Sequence, residues 1–533
     1  MTDTDQHDYI IIGAGSAGCA LAHRLAQDSS KRVLLLEAGG SDRSIYIRMP
    51  AALIRAIGNP RYDWCYTAEP DASRNSRVDL WPAGRTRGGS SAINGMLYVR
   101  GAANDYDRWA AAGCEGWSAE EVLPIFRRLE GSPLGEDGLR GRDGPVKTSA
   151  LRTVHPMAPV FIDAARKAGV AFNPDYNGAT QEGIAYTEVS QQRGRRFSAA
   201  HAYLDPIRGQ ANVELRSQAQ AERLTFENGR CTGVEYRWRG KRCHSTARRE
   251  VILCAGAIGS PKLLMLSGIG PGQALQDLGI TVQVDAPGVG ANLQEHPEGM
   301  VGIDVNVRTY NVEVNSWRIV LHAANWLFRG RGPATSPYPH AVAFIRSSPE
   351  VPHPDLQVQF GPYAFSFSEE GVLPYGRPAI SASVNISYPK TRGRVFLNSS
   401  AFDAPPGIEH GLLSDPDDLA LLISGCKQVH RWLTGPAFDD YRVADRLPGP
   451  DVQSDDEWAD YLRATAFLGY HPSGTCRMGS DAESVTTPDL RVRGVDGLRV
   501  ADASIIPTLI SGNTNATAMM IGERAADFLG AAG

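Results

Sequence analysis

A glycine-rich turn near the start of the sequence is the feature that most restricts how this chain can fold. Gly13-x-Gly15-x-x-Gly18 follows an apolar, β-branched run at 9–12 and precedes a segment with apolar residues at helical spacing; a second apolar run spans 32–37. This strand–turn–helix–strand order predicts a dinucleotide-binding unit. Gly13 permits the tight turn, Gly15 lets the backbone approach a pyrophosphate, and Gly18 lets the helix pack on the strand.

The residues around this turn favour a dinucleotide without a 2′-phosphate. The helix directs its unpaired N–H groups and positive dipole end at phosphates, and we count Ser16 and Ala38 among the cofactor-binding residues. Glu37 ends the second strand 19 residues after Gly18, where an acid can accept hydrogen bonds from ribose hydroxyls. A carboxylate there would repel a 2′-phosphate, which disfavours NADP. The motif itself does not separate FAD from NAD.

Elements of the same kind recur in distant parts of the chain. Residues 250–264 again have the pattern of a strand, a small-residue turn and a helix, and 497–502 with 515–529 predict a last strand and helix. Between them, alternating stretches at 356–360 and 394–400 predict a sheet with one covered face. We therefore predict a mixed α/β (α+β) fold in which a discontinuous Rossmann-like cofactor domain is interrupted by a second domain.

Composition and charge argue against several classes of protein. The formal net charge is −5, whereas a nucleic-acid partner usually requires a basic patch. The eight cysteines include no C-x-x-C pair, so we expect reduced thiols and no metal site. Because neither a signal-peptide pattern nor a run of about 18 apolar residues is found, we expect a cytoplasmic protein.

The segment 317–328, WRIVLHAANWLF, is amphipathic and aromatic. Such a stretch is most often a helix that faces the core, which we expect here. The alternative is a helix that touches a membrane surface, and with it a peripheral association with the inner membrane. Nothing in the sequence indicates an oligomeric state.

Four separated blocks of the chain resemble the glucose-methanol-choline (GMC) oxidoreductases, and most closely the bacterial choline, sorbose and polyethylene-glycol dehydrogenases. The blocks are the glycine turn with Glu37, GRTRGGSSAINGM at 84–96, GAIGSPKLLMLSGIG at 256–270, and YHPSGTCRMG at 470–479 with GNTNATAMMIGERAAD at 512–527. The resemblance implies FAD as the cofactor and a substrate domain whose antiparallel sheet is flanked by helices. It implies FAD-binding parts at 5–155, 196–297 and 463–533, and substrate-domain parts at 156–195 and 298–462.

The resemblance also implies cofactor contacts at individual positions. It places Ser91, Asn94, Gly95 and Leu97 along the isoalloxazine or ribityl arm, Ala221 at the adenine, Ala255 and Gly256 at the adenosine, Asp502 and Ala503 at the ribityl-pyrophosphate region, and the Thr514 backbone at the pyrimidine edge. Taken alone, Asp502 is equally well a strand-end acid that bonds a nearby loop. Ile93 stands where some relatives link the flavin covalently through a histidine, so noncovalent FAD is predicted. Arg87 replaces the usual aliphatic residue before Gly-Gly and could tilt this loop.

Oxidation of an alcohol removes a hydroxyl proton and a hydride from the α-carbon. Flavin N5 can take the hydride, whereas the protein must supply a base, for which histidine is suited. The resemblance places His471 opposite N5 and Asn513 at the partner position. An asparagine amide can donate to a developing alkoxide but cannot take a proton, which leaves His471 as the base. Three other histidines are interpreted as structural or surface residues: His201, His296 and His410.

The same scaffold supports more than one reaction, because function depends on the site and not on the fold. We expect an FAD-dependent alcohol dehydrogenase or oxidase. The alternatives are an FAD-containing hydroxynitrile lyase and a fatty-acid photodecarboxylase, and the His471/Asn513 pair favours alcohol oxidation. The alcohol itself stays open, as does the electron acceptor, which is a quinone, a redox protein or O₂. Four aromatic residues line an apolar pocket or belong to the core: Phe360, Tyr363, Phe365 and Tyr470.

Overall fold

The computed structural model describes residues 5–314, 316–368 and 371–531, so the predicted last residue of the FAD-binding domain, 533, lies outside the described chain. The strands of the two large sheets are β1 Gln6–Ile12, β2 Val33–Glu37, β3 Gly183–Tyr186, β4 Val213–Ser217, β5 Ala219–Glu227, β6 Arg230–Trp238, β7 Lys241–Leu253, β8 Pro297–Val305, β9 Ala341–Ile345, β10 Leu356–Gly361, β11 Ala379–Ile386, β12 Arg442–Leu447, β13 Phe467–Leu468 and β14 Leu498–Val500. The helices of nine or more residues are α1 Ser16–Ala26, α2 Ala103–Ala111, α3 Ala119–Leu129, α4 Met157–Lys167, α5 Gly256–Leu266, α6 Arg318–Arg329, α7 Pro416–Thr434, α8 Asp455–Thr465 and α9 Asn515–Ala531.

The first sheet has the strand order β4-β2-β1-β7-β6-β5, and β14 pairs with the second half of β7. Strands β4, β2, β1, β7 and β14 run parallel, while β5 and β6 add antiparallel strands at one edge. Strands β1 and β2 are buried except at Gln6, and their segments Tyr9–Ile12 and Val33–Leu36 are apolar, as expected for parallel strands covered on both faces. Their helices α1 and α9 pack so closely that a Cβ at Gly522 would lie 2.2 Å from the Ala17 carbonyl oxygen.

The second sheet is antiparallel throughout, with the order β12-β8-β11-β10-β9-β3 and with β13 paired to β8. Apolar residues on one face form a core with α4, α7 and α8. The two sheets confirm the predicted fold class, a Rossmann-like sheet combined with an antiparallel substrate-domain sheet flanked by helices. The predicted domain boundaries stay a prediction. The strand β13, which they assign to the FAD-binding domain, pairs with the second sheet.

Three local expectations were wrong. Strands β9, β10 and β11 are buried at every residue, so the second sheet is covered on both faces and not on one. Arg394–Phe396 pairs with Gly407–Glu409 in a separate two-stranded sheet. Helix α6 lies on the surface and turns its apolar side outward, in contrast to the core-facing helix predicted for 317–328. No helix in the described ranges combines the length and apolar character that crossing a bilayer requires.

Candidate active site

The carboxyl ends of the parallel strands bring most of the predicted cofactor residues to one edge of the first sheet. Gly13 follows β1, Glu37 ends β2, Ala255 follows β7 and Asp502 follows β14. Ala221 lies near the start of β5, just after β4 ends. In open parallel sheets this edge is where nucleotides bind. The fold therefore gathers residues that are up to 489 positions apart, from Gly13 to Asp502.

The glycine turn is as tight as the motif predicts. Gly13 has φ +105°, and a Cβ there would lie 2.4 Å from the Cys254 carbonyl oxygen. A Cβ at Gly18 would lie 2.0 Å from the Gly13 carbonyl oxygen. The second glycine-rich block also reaches this turn, because a Cβ at Gly89 would lie 2.7 Å from the Gly15 Cα. The two loops thus meet where the motif expects a pyrophosphate.

Two helix N-termini converge at the same place. Ser16, the first residue of α1, donates from Oγ to Oδ1 of Asn515, the first residue of α9, at 2.7 Å. Helix N-termini present unpaired N–H groups and a positive dipole end, which suit the phosphates of a dinucleotide. The residues at this edge therefore fit FAD.

The acids at this edge organise the backbone around it. Glu37 accepts hydrogen bonds from the Ala14 and Gly39 amides at 3.0 and 2.7 Å, and burial raises its pKa to about 7. Ala38 follows it directly. Asp502 accepts from the Gly256 amide at 2.8 Å, and also from Ser260 and Ser504. These hydrogen bonds are the ones expected if Asp502 is a strand-end acid that bonds nearby loops. A direct role of Asp502 or Ala503 in cofactor binding stays a proposal.

The loop 88–97 is held by buried polar contacts. Ser91 Oγ accepts from the Ala199 amide at 3.0 Å, and Asn94 Oδ1 accepts from the Arg196 guanidinium at 2.7 Å. Arg196 is buried, and no carboxylate lies within ion-pair distance of it among the residues that the structure describes. Burial lowers its pKa to about 9. Ile93 belongs to a small apolar cluster.

Other residues of this loop also have defined surroundings. Gly95 lies against the segment that precedes β9, since a Cβ there would be 3.1 Å from the Tyr338 carbonyl oxygen. Leu97 forms a β-bridge with Val189. Arg87 donates from Nε to the Ser217 hydroxyl at 2.8 Å, so this departure from the family pattern ties the loop to the end of β4.

His471 and Asn513 are in direct contact. The Asn513 amide nitrogen Nδ2 lies 2.8 Å from His471 Nε2. His471 follows β13, Asn513 and Thr514 immediately precede α9, and His471 is 6% exposed. Burial, with a smaller contribution from His296, lowers the pKa of His471 well below its usual range. The imidazole is therefore neutral at physiological pH, which is the state required of a base.

His296, interpreted from the sequence as structural or surface, determines which nitrogen of His471 carries the proton. His296 Nε2 lies 3.2 and 3.1 Å from the carbonyl oxygens of Ser387 and Ile510. Carbonyl oxygens only accept, so this nitrogen carries a hydrogen. Burial lowers the pKa of His296 to about 4, so the ring is neutral and its Nδ1 is an acceptor.

The consequence for His471 follows from the next contact. His471 Nδ1 lies 2.9 Å from His296 Nδ1 and must donate to it. His471 Nε2 is then left with its lone pair, directed at Asn513. The backbone is fixed as well, because the Glu295 carboxylate accepts from the His471 amide at 2.8 Å. The pair thus presents one proton acceptor and one hydrogen-bond donor side by side.

A chain of buried amides links this pair to a carboxylate. Gln357 Nε2 donates to Asn513 Oδ1 at 3.1 Å, which leaves the Asn513 Nδ2 group for His471. Asn385 Nδ2 lies 3.0 Å from Gln357 Oε1 and 3.2 Å from Glu298 Oε1. Gln357, Asn385 and Glu298 stand on neighbouring strands of the second sheet, on the face opposite the apolar core.

Glu298 is a buried acid without a cationic partner. Its contacts include the amides of Asn385 and Gln359 and the Ser383 hydroxyl, and no Lys, Arg or His nitrogen within the described ranges lies at ion-pair distance. Burial raises its pKa to about 7. On the same face, the buried atoms Asn385 Oδ1 and Tyr363 Oη have no hydrogen-bond partner in the described chain. Buried polar groups without partners are rare in native proteins, so this face is suited to a polar, cationic ligand.

The four predicted pocket residues have different surroundings. Phe360 belongs to the core of the second sheet, where its ring stacks on Phe161 at 4.3 Å, as in the core alternative. Phe365 lies between Tyr363 and Tyr338, at centroid distances of 5.7 and 6.0 Å. Tyr470 is 38% exposed and has φ +62°, immediately before His471. A pocket role for Tyr363, Phe365 and Tyr470 stays a proposal.

Sequence analysis missed several residues of this site: Glu295, His296, Glu298, Gln357 and Asn385. The segment NLQEHPEG at 292–299 contains three of them and lies outside the four blocks that resemble the family. The other two histidines interpreted as structural or surface residues have local contacts. His201 contacts Ser198 at 3.0 Å, and His410 lies buried beside Asp71 and Asp79.

One cluster within the described residues, Asp5, His7 and Glu214, brings three potential metal ligands together. The Arg216 guanidinium bonds both Asp5 and Glu214. A fixed positive charge at this point disfavours a metal cation. All eight cysteines are free thiols.

A dinucleotide-binding sheet, a neutral histidine with an amide donor beside it, and a buried second sheet together define a flavin-dependent alcohol oxidoreductase. Comparison with known families gives the same answer, because two profiles described as GMC oxidoreductase match residues 7–298 and 389–522. The chain belongs to the GMC oxidoreductase family and is an FAD-dependent alcohol oxidoreductase.

Individual relatives cover nearly the whole chain. It is 45% identical over 531 residues to an oxygen-dependent choline dehydrogenase from Rhizobium rhizogenes, covering 98% of this chain and 95% of the relative. It is 40% identical over 545 residues to the mitochondrial choline dehydrogenase of Homo sapiens, with 98% and 90% covered. The solved structure of pyridoxine 4-oxidase from Mesorbium loti superposes with a TM-score of 0.89 at 30% identity, covering 98% of both chains.

Proposed function

We propose that this chain oxidises a choline-like amino alcohol to the aldehyde, with His471 as the base. The alcohol oxygen binds beside His471 Nε2 and Asn513 Nδ2, which are 2.8 Å apart. The hydroxyl proton passes to the Nε2 lone pair, while the Asn513 N–H donates to the oxygen as negative charge develops on it. His296 holds His471 in the tautomer that this transfer requires, through the 2.9 Å contact between their Nδ1 atoms.

The substrate assignment depends on one observation, which is that Glu298 is buried and has no cationic partner among the described residues. The described hydrogen-bond partners of the buried Glu298 are neutral groups, so a cationic substrate would stabilise the charged form of this carboxyl. A quaternary ammonium group provides that charge and has no N–H to donate, so a carboxylate together with aromatic rings is the expected receptor. The ring of Phe365, with Tyr338 and Tyr363 beside it, supplies such a surface. The choline dehydrogenases similar to this chain act on a substrate of this class.

The cofactor is proposed to be FAD held without a covalent bond. The residues proposed to hold it are Gly13, Gly15, Ser16, Gly18, Glu37, Ala38, Ser91, Asn94, Gly95, Leu97, Ala221, Ala255, Gly256, Asp502, Ala503 and Thr514. When bound, FAD supplies the hydride acceptor of the reaction. Ile93, a buried aliphatic residue, offers no nucleophile for a covalent link.

The electrons are proposed to pass on to a quinone, a redox protein or O₂. The similar enzyme from Rhizobium rhizogenes is an oxygen-dependent choline dehydrogenase, which supports O₂ as one candidate. Oxygen consumption and reduction of a water-soluble quinone are measured side by side on the same enzyme preparation. Turnover with O₂ but not with the quinone would exclude the quinone, and turnover with neither would favour a redox protein.

The base assignment is tested by anaerobic stopped-flow reduction of the bound flavin with choline. His471→Ala should slow flavin reduction about a thousandfold or more, since a positioned base contributes roughly 10²–10⁴, while FAD stays bound. His430→Ala is the matched control, because His430 lies on α7, away from the site, where it contacts Asp445 of β12. The flavin of this variant should be reduced at the normal rate. Near-normal reduction in the His471 variant would refute the assignment.

A further inference from the structure

Helix α6 has the reverse of the usual orientation for a surface helix. Its inner side is formed by Trp326, which is buried and donates to the Gly194 carbonyl at 2.7 Å, and by His322, which contacts Glu313 at 2.9 Å. The opposite side carries large apolar residues: Trp317 (75% exposed), Val320 (68%), Leu321 (53%), Leu327 (54%) and Phe328 (81%). At spacings of three, four and seven, these residues share one face of the helix. We call this surface the apolar face.

An unpaired group of arginines adjoins the apolar face. Arg329 and Arg331 flank the helix end, and three more arginines surround Gly330 from neighbouring segments: Arg152, Arg193 and Arg195. Arg152 donates to the Gly330 carbonyl at 2.7 Å, and the Arg195 guanidinium lies 5.4 Å from the Trp326 ring centroid. All five are exposed, and none forms an ion pair with any residue in the described ranges. In a chain whose net charge is −5, this is a local positive patch.

We propose that the apolar face inserts into the surface of a membrane that contains anionic phospholipids. An interfacial helix places its apolar side in the acyl-chain boundary while flanking arginines meet the headgroups. The five exposed arginines give this surface a positive charge that complements an anionic partner. A bilayer supplies both the apolar layer and the anionic charge, whereas a protein partner would have to match each separately.

The location of α6 gives membrane attachment a functional consequence, and this part of the inference rests on the proposed function. The chain from the end of α6 reaches Tyr338 within nine residues of Arg329, and the Tyr338 carbonyl adjoins Gly95 of the proposed flavin loop. Attachment through α6 therefore brings the candidate site close to the membrane surface. A lipid-soluble quinone should then reoxidise the enzyme faster when vesicles are present.

The attachment is tested by co-sedimentation of the FAD-loaded enzyme with vesicles. One set contains phosphatidylcholine only, and the other contains phosphatidylcholine with about a third phosphatidylglycerol. The enzyme should pellet with the anionic vesicles and stay in the supernatant with the neutral ones. Val320→Asp with Phe328→Asp should abolish pelleting. Arg329→Glu with Arg331→Glu should weaken it at least 20-fold, since each arginine near such a surface contributes roughly fivefold.

Val443→Asp is the matched control, because Val443 is 65% exposed on β12; this variant should pellet like the wild type. Choline oxidation with a water-soluble dye should be unchanged in all four proteins, so failure of attachment and failure of the proposed reaction are separable. The proposal is overturned if the wild type does not pellet with anionic vesicles, or if the Val320/Phe328 variant pellets equally. It is also overturned if the wild type is a dimer that this variant converts to monomer, because the apolar face would then be an interface between two copies.

Discussion

The most informative perturbation is Glu298→Gln, which removes one negative charge and keeps the size of the side chain. A glutamine oxygen can still accept the hydrogen bonds that Asn385 and Gln359 donate to the carboxylate. Apolar packing and the amide chain to Asn513 should therefore survive. What is lost is the attraction between a buried carboxylate and a cationic substrate.

The size of that loss follows from the burial of Glu298. The carboxylate is 5% exposed and has no cationic partner within the described residues, so bulk water does not screen it. Two unit charges about 4 Å apart attract by about 4 kcal/mol at an effective dielectric constant near 20. Since about 1.4 kcal/mol corresponds to a tenfold change, kcat/KM for choline should fall roughly 100- to 1000-fold.

The assay compares choline with 3,3-dimethylbutan-1-ol, which has the same shape but carries no charge. Glu298→Gln should leave kcat/KM for the neutral alcohol within about threefold of the wild type, because the change removes only the charge interaction. Equal losses for both alcohols would refute the reasoning, because they would show that the variant damages the site itself. Unchanged activity on choline would exclude Glu298 as the cation receptor.

The pH dependence provides a second measurement on the same variant. Burial raises the pKa of Glu298 to about 7, so in the free enzyme the carboxyl is neutral below this pH and charged above it. Because only the charged form attracts a cation, kcat/KM for choline should rise as the pH rises through about 7. This rise should be missing for the neutral alcohol and for Glu298→Gln. If kcat/KM still rises with pH in the variant, another titrating group must cause the rise. The first candidate is Glu295, whose pKa burial raises to about 8.

Three further outcomes are expected. Asn513→Ala should slow flavin reduction about a hundredfold, as for loss of one donor to a developing oxyanion, and less than His471→Ala; an equal fall would give Asn513 a larger role. His296→Ala should slow it about 10- to 100-fold, in line with a lost buried hydrogen bond, and change its pH profile, whereas an unaltered profile would reject tautomer control. Acid precipitation should release all FAD into the supernatant; flavin retained in the protein pellet would indicate a covalent link.

The first sheet could be predicted because its signals are local. The glycine turn, the two apolar strands and Glu37 lie within 29 residues, 9 to 37, and each has its own steric reason. The bounds differ little from the prediction, since β1 begins at Gln6 and β2 at Val33. Residues that follow other strands were placed by resemblance, because no local pattern tells which distant strands will join the same sheet.

The second sheet shows where a local pattern is insufficient. In Leu356–Gly361 the apolar and polar residues alternate as predicted, and Val358 belongs to the core. Alternation reveals which residues share a face, but it does not reveal what lies against that face. The polar side was interpreted as solvated, whereas Gln357 in fact contacts Asn513, 156 residues away. Helix α6 was misjudged for the same reason, because amphipathicity identifies an apolar side without giving its direction.

The contact between Gln357 and Asn513 explains why the missed residues matter for the reaction. Asn513 precedes α9, which packs beside the first sheet, but the orientation of its amide is fixed by Gln357 on the second sheet. Without that bond the amide could turn its oxygen toward His471 Nε2, and two acceptors would face each other. The Glu298 carboxylate stands at the far end of the same chain of amides. In the proposed function, recognition of the cation and orientation of the amide beside the base therefore depend on one continuous set of hydrogen bonds.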